Sequence, residues 1–272
     1  MLMSALTGVL VSAYTQNLPL AVFCGILMGI VMGIFMGYFH ILMNTNLILT
    51  GVAINTFTRG ATVMILYTFT GDKGSSSLVK SLAVGNWDIP VIKDIPILGQ
   101  ILSGHNGFTY FAFLAVIFTW FLMYRTPLGL RIRAVGENSS AAESVGENPA
   151  KSKLIALGFS GFFSALGGMY MSMGNMSVFI TNMTGGRGFI GVAADAMGRG
   201  NPIGAMLASL LFGAANAVAN VLQINNFPVD MVMAIPYVVS IAGIIIYSAN
   251  EQHRKNSRVE QAIRAAEREE TA

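Results

Sequence analysis

Two charged side chains stand inside otherwise apolar runs, and they are the residues with the most capacity for chemistry. Arg59 lies near the middle of the run Leu47–Phe69, and Asn55 sits four residues earlier on the same helical face. Asp195 interrupts the short apolar stretch Phe189–Met197, which glycines bracket. A charge at the centre of a bilayer costs about 2.5–3.5 kcal/mol on insertion scales. Each must therefore face an aqueous cavity or an opposite charge, and the two could pair with one another. The alternative for Arg59 is a guanidinium that snorkels to the interface from a span drawn wrongly. Asn216 and Asn220 form a second i,i+4 polar pair. Asn55, Arg59 and Asp195 are the candidates for a polar solute pathway.

Nothing in the sequence supports bond-making chemistry. His40, His105 and His253 are far apart and lack a metal-ligand spacing. Cys24 is the single cysteine, so neither a disulfide within the chain nor a cysteine metal site is available. Gly198-Arg-Gly-Asn-Pro is glycine-rich but lacks the lysine of a phosphate loop. No catalytic residue, metal or cofactor is expected in this chain. If ATP powers the protein, another subunit must bind it.

The elements that must position these groups are membrane helices. Hydrophobic residues make up 54% and charged residues 11%, against about 25% charged in an ordinary soluble domain. The mean hydropathy is +0.62. The net charge of +3 does not point to nucleic acid, because the excess sits at the ends of apolar runs, where it orients a chain in lipid. The candidate spans are Leu2–Tyr14, Leu18–Phe39, Ile48–Phe69, Phe108–Tyr124, Leu154–Met173, Gly204–Leu222 and Val229–Tyr247. Phe189–Met197 reads as a broken or half-crossing helix. The expected fold is an all-α polytopic membrane protein of about eight membrane elements. Its transmembrane domain covers 1–249, and a charged tail covers 250–272. The chain starts in apolar sequence without a basic leader, so Leu2–Tyr14 is read as a short, uncleaved span.

Charge sets the orientation. The island 125–153 carries Arg125, Arg131, Arg133, Lys151 and Lys153, and the tail carries Arg254, Lys255, Arg258, Arg264 and Arg268. Short loops rich in Lys and Arg stay inside. Both termini are therefore expected in the cytoplasm and the loop 71–107 outside. In that loop the charges balance, Trp87 suits an interface, and Pro90 and Pro96 exclude one continuous helix. It is either a docking or gating surface or a plain surface loop.

Within the island, Asn138 is a good helix cap, Ser139–Val145 can form about two turns, and Gly146 can end them. A short capped helix held on a cytoplasmic loop suits the transmission of force from a soluble partner. The alternative is a solvated connector that only sets topology.

Gly25, Gly29, Gly33 and Gly37 recur every fourth residue and form one slowly drifting stripe. Lipid gives no hydrophobic pull between helices, so association relies on close backbone contact that small residues permit. The stripe is a buried seam whose partner is either in this chain or in a second copy. Gly158, Gly161, Ala165 and Gly168 repeat the theme.

Several segments resemble one family. Gly129-Leu-Arg-Ile-Arg-Ala-Val-Gly-Glu-Asn, then Ala141-Ala142, Gly146 and Lys151-Ser-Lys153, is similar to the cytoplasmic signature of ATP-binding-cassette importer permeases for branched-chain amino acids, simple sugars and nucleosides. Gly185-Gly-Arg-Gly-Phe-Ile-Gly-Val-Ala-Ala, Gly198-Arg-Gly-Asn-Pro-Ile-Gly-Ala and Ile48-Leu-Thr-Gly-Val-Ala-Ile-Asn55 resemble the nucleoside and sugar branch. Thr70-Gly-Asp-Lys-Gly74 is most like the nucleoside permeases. The resemblance implies that the island helix is a coupling helix docking in a cleft of a separate ATPase, through Gly136, Glu137, Asn138, Ala141, Ala142 and Gly146. It also implies a second permease subunit, identical or related, an extracellular substrate-binding lipoprotein, and ATP and Mg held by the ATPase. Two positions depart from the pattern: Ser139 stands where the family often has Pro, and Asp195 where a small apolar residue is usual. The N-terminal part is short for the family, as though a first span were absent.

The expected function is inward movement of a small polar solute, a nucleoside first, by alternating access at the plasma membrane. Simple sugars and branched-chain amino acids are the alternative cargo. An ion-coupled secondary transporter would want more membrane acids than Asp195, and Asp230 near an outer end. A membrane-embedded enzyme would want a cluster of His, Asp and Glu.

Overall fold

The computed structural model describes residues 1–87, 103–224 and 238 of the chain. Apart from Val238, the expected span Val229–Tyr247 and the whole charged tail lie outside the described residues. The chain divides into two compact units, Met1–Gly185 and the part beginning at Gly186. The first holds α1 (Leu2–Thr15), α2 (Leu18–Leu42), α3 (Leu47–Thr70), β1 (Asn86–Trp87), β2 (His105–Asn106), α4 (Gly107–Arg125), α5 (Pro127–Glu137), α6 (Ser139–Ser144) and α7 (Pro149–Met169). A π-helical turn, Tyr170–Met176, continues α7. The second unit holds α8 (Arg187–Gly198) and α9 (Pro202–Ile224).

Asparagine starts most of these helices. The side chains of Asn17, Asn46, Asn106 and Asn148 accept from the backbone N–H of Leu20, Ile48, Phe108 and Lys151, at 3.3, 2.9, 3.0 and 3.1 Å. Each satisfies one of the N–H groups that a first helical turn leaves without a partner. Along α3 the threonine hydroxyls turn back on their own helix: Thr58 donates to the Ile54 carbonyl at 2.6 Å and Thr68 to Met64 at 2.9 Å. Hydroxyls satisfied in this way can sit at membrane depth at little cost.

Among the described residues, five helices are long and apolar enough to cross a membrane: α2, α3, α4, α7 with its π-turn, and α9. The first expected span differs. With 14 residues, α1 is about 21 Å long, short of the ~30 Å hydrocarbon core. It is an inner helix. Leu2, Ala5, Leu6, Val9 and Leu10 make a core with Ala21, Leu66, Met173 and Phe179. A helix apolar on every side is satisfied by burial in protein as well as by lipid. By contrast, α4 has no buried residue: Phe108 touches the core and Phe111 meets Phe162 of α7, while Phe113, Leu114, Ile117, Phe118 and Phe121 are exposed.

The glycine stripe of α2 packs on α7. A Cβ built on Gly29 would meet the Ala165 methyl and lie 2.6 Å from the Gly161 carbonyl oxygen. One on Gly33 would strike the Leu157 carbonyl and lie 3.2 Å from Gly161 Cα. Gly25 faces Met169 of α7 and the Ser4 carbonyl of α1, and Gly37 faces the Leu154 and Leu157 side chains. The seam is thus internal to the chain. On α7 the stripe is narrower than expected: Gly161, Ala165 and Gly168 pack closely, whereas Gly158 looks into open space.

The first stretch of the 71–107 loop is pinned down. Phe179 N–H donates to Ser76 Oγ at 2.8 Å, and Ser76 N–H to the Phe179 carbonyl at 2.9 Å. Leu82 N–H donates to Ser12 Oγ of α1 at 2.6 Å. Val84 N–H donates to the Met173 carbonyl, in the π-turn, at 2.9 Å. The amide of Asn106 donates to the carbonyls of Val84 and Gly174. This mouth of the bundle is fastened to the end of α7, while Trp87 stays exposed.

In the second unit α8 and α9 form a tight helical hairpin. Ala194, Ala208 and Phe212 are its buried centre. Gly186 and Arg199 bracket α8 with φ of +81° and +58°. The expected short element is therefore a discrete helix with a break at each end. A Cβ on Gly204 would lie 2.7 Å from the Gly198 carbonyl oxygen, so the turn between the two helices has no room for larger residues.

Candidate functional site

The island 125–153 folds as two helices at a sharp corner. Thr126 Oγ1 accepts from Gly129 N–H at 3.2 Å, and Pro127 follows at the start of α5. A capping Thr with Pro next to it is a helix-start signal, and it marks an 11-residue helix in a stretch to which no element was assigned from the sequence. Gly129 packs directly on the backbone of Leu122 and Met123, which folds α5 back against the end of α4. The cation of Arg133 lies 4.7 Å from the Tyr124 ring centre, and that of Arg125 lies 5.9 Å from Trp120. Both basic side chains thereby lie along aromatic residues of α4.

Asn138 ends α5 and starts α6. Its Oδ1 accepts from Ala141 N–H at 3.1 Å, the cap that the sequence suggests. The helix runs Ser139–Ser144, shorter than the two turns expected. Gly146 follows at φ +89°, a conformation that suits glycine. Glu147 N–H donates back to the Ala142 carbonyl at 3.1 Å, which closes the helix end. Glu147 Oε1 and Arg131 Nε lie 2.8 Å apart and tie the loop to α5. With both side chains partly exposed, that pair contributes ~0–1 kcal/mol.

Of the six island residues singled out, one is buried. Ala142 is 5% exposed and packs beneath α6. Gly136, Glu137, Asn138, Ala141 and Gly146 lie on the outer surface, joined by Val145 at 79% exposure. The outer surface of the corner thus carries an apolar tip, Val145, flanked by Glu143 and Glu137. Sequence reasoning passed over Val145, although a lone apolar residue in a polar loop was the available signal.

Arg59 stands on an exposed face of α3, and Asn55 is half-buried one turn earlier. The carbonyl of Arg59 accepts from the buried Thr62 hydroxyl at 3.0 Å. Its guanidinium makes no ion pair among the described residues. Asp195 is exposed on α8, next to the buried Ala194. Arg59 belongs to the first unit and Asp195 to the second, and each is described on its own helix. Asn216 is half-buried and Asn220 exposed on α9.

Apolar helices of spanning length, a central short helix, a broken helical hairpin and a charged corner at one end define a multi-pass membrane protein. The chain belongs to the family described as branched-chain amino acid transport system / permease component, which matches residues 1–246. It is 33% identical over 200 residues to the guanosine ABC transporter permease protein NupQ of Bacillus subtilis, covering 72% of this chain and 62% of that one. It is 30% identical over 205 residues to the nucleoside ABC transporter permease protein NupC of Lactococcus lactis, covering 74% and 64%. A putative glucose ABC transporter permease protein of Haloferax volcanii, TsgC13, is 30% identical over 224 residues, covering 80% and 65%. The chain therefore spans less than two thirds of the length of these relatives. No solved structure matches it.

Proposed function

We propose that the chain is the membrane subunit of an ATP-binding-cassette importer that carries nucleosides inward by alternating access. The observation that carries this reading is the α5–α6 corner: a capped helix, fastened by backbone and ion-pair contacts, with its outer surface free for a partner. Its rigidity suits the transfer of motion from a cytoplasmic ATPase, which would hold ATP and Mg, to the helices on either side. α6 sits between α4–α5 and α7, so a push on it reaches two membrane helices through short covalent links. The basic residues of the corner support a cytoplasmic location. A second permease subunit would complete the pore beside the outward-facing surface of α4, and a binding lipoprotein would deliver the solute from outside.

Nucleosides are preferred as cargo because two of the similar permeases are named for guanosine or nucleosides. Cells carrying the complete importer should take up labelled guanosine, and excess unlabelled nucleosides should suppress that uptake while glucose and leucine do not. Uptake blocked by glucose alone would reassign the cargo to sugars.

Arg59 and Asp195 are proposed pathway residues. A guanidinium facing lipid at mid-span is too costly to keep without a function or a partner. If the two pair in the assembled protein, Asp195→Asn and Arg59→Gln should each lower the yield of assembled complex, and the double variant should lose less than the sum. Strictly additive losses would remove the pair. Arg59 would then stay a pathway residue only if Arg59→Gln assembled normally and failed to transport.

A further inference from the structure

A cavity of about 260 Å³ opens at the end of the bundle that carries the coupling corner, lined by His40, Ile41, Asn44, Thr45, Ala150 and Lys153. None of its lining residues is one of the proposed pathway residues or part of α6. No carboxylate lines it, and Lys153 makes no ion pair among the described residues. Two neighbouring carbonyls already have partners. The Phe39 carbonyl accepts from Met43 N–H at 3.1 Å and from the Thr45 hydroxyl at 3.0 Å. The Asn46 carbonyl accepts from Thr50 N–H and Oγ1. His40 Nδ1 lies 2.7 Å from the Thr45 carbonyl oxygen. A carbonyl can only accept, so Nδ1 carries the proton, and in the neutral ring Nε2 is left as an acceptor for a ligand hydroxyl. What remains for an occupant is two donors, the Lys153 ammonium and the Asn44 amide, and one acceptor, the imidazole Nε2, with Ile41 and Ala150 as an apolar wall. That set suits an anion with several acceptor oxygens and an aliphatic part.

The surroundings favour a lipid. Tyr38, Leu42, Met43 and Leu47, which flank the lining segment in the chain, are large and exposed. An ammonium beside such a surface, at the end of a spanning helix, lies at headgroup depth. The volume is below the ~300–1,000 Å³ of drug-sized sites and suits a small headgroup. We propose that this cavity binds a phosphate diester or monoester, supplied by the headgroup of an anionic phospholipid. The leaflet, cytoplasmic, rests on the orientation proposed above; the chemistry does not.

The test uses the full chain in nanodiscs of equal parts phosphatidylcholine and phosphatidylglycerol, released and weighed with its retained lipid by native mass spectrometry. Phosphatidylglycerol should be enriched over phosphatidylcholine. A hydrogen bond to a charged group is worth ~1.5–3 kcal/mol, so Lys153→Ala should weaken that retention about tenfold or more. Lys153→Arg should keep most of it. Lys151→Ala, which removes an exposed lysine outside the cavity, should change nothing. Monodisperse elution and unchanged helical dichroism separate loss of lipid from loss of fold. Glycerol 3-phosphate provides the second arm. Thermal stabilisation by it, lost in Lys153→Ala and without lipid enrichment, would keep the phosphate site but assign a soluble source. Enrichment indifferent to Lys153→Ala, with no response to glycerol 3-phosphate, would overturn the proposal. Sidedness is read separately, by labelling Ser140→Cys on a Cys24→Ala background, so a wrong orientation and a wrong site give different results.

Discussion

Gly33→Leu is expected to leave almost no assembled protein in the membrane. The seam between α2 and α7 brings two backbones together, and the Leu157 carbonyl and Gly161 Cα occupy the space a side chain at residue 33 would need. Overpacking a well-filled core with movable side chains costs about 1–3 kcal/mol. Here the obstacle is backbone in a hydrogen-bonded helix, which cannot rotate away. The two helices must separate, and the close contact that holds them in lipid is lost along its length. Gly29→Leu should behave alike, since the Gly161 carbonyl oxygen would lie 2.6 Å from the first added carbon. The same geometry grades the milder changes. At Gly37 the neighbours are the flexible ends of Leu154 and Leu157, so Gly37→Ala should lower the yield only modestly. Gly158→Ala, with nothing within 4 Å, should leave both yield and uptake unchanged. Membrane-extracted protein, quantified by size-exclusion chromatography, gives the ranking. A Gly33→Leu protein that is fully assembled and active would show that the seam does not hold the bundle.

Ala141→Trp is expected to abolish transport in a protein that inserts and folds normally. Ala141 is exposed on the outer surface of α6, so an indole there disturbs no internal packing. It would hold a docking partner away from the Val145 tip. A loss of tenfold or more in uptake and in substrate-stimulated ATP hydrolysis corresponds to ~1.4 kcal/mol or more of lost docking. Ala142 gives the contrast. It is buried beneath the helix, and Ala142→Trp should dislodge α6 and lower the yield of protein as well as its activity. Loss of function at both positions with loss of yield at only one separates a docking surface from a structural corner. Normal uptake by an Ala141→Trp protein would remove α6 from the coupling role.

The helices were legible because lipid imposes a length and a composition that few other sequences meet. The caps were legible for a local reason. Asn138 followed by a short polar stretch and Gly146 carries its signal within nine positions, and the structure places both where that signal puts them. α5 carried an equally local signal in Thr126-Pro127. It escaped because its basic composition also reads as solvated loop. Other features depend on contacts distant in sequence and were beyond reach. A stripe of small residues fits any other such stripe, so nothing in Gly25 to Gly37 names α7 as its partner. Gly158 belongs to the stripe by composition but points away, whereas Leu154, Leu157, Gly161, Ala165 and Met169 meet α2. The π-turn after Met169 is held by Val84 and Asn106, far along the chain, and no nearby residue announces it. Arg59 and Asp195 were visible only through the cost of placing charge in lipid, which marks a position but supplies no partner.

The α2–α7 seam also sets an order of events during synthesis. Roughly 130 residues separate Gly29 from Gly161, and ribosomes add ~5–20 residues per second. The glycine face of α2 therefore enters the bilayer roughly 7–26 s before the helix that covers it has been made. α1 shares this delay, because part of its wall is the Met173 and Phe179 region that follows α7. Through that interval the nascent chain holds an open, self-complementary groove within reach of any helix bearing small residues. α3 and α4 emerge first: α3 meets α2 through Gly51 against Met36, off the glycine stripe, and α4 leaves Phe113, Leu114, Ile117, Phe118 and Phe121 exposed, a surface too large for a groove that accepts small residues. Chain order and side-chain size together keep the early helices from filling a place reserved for a later one.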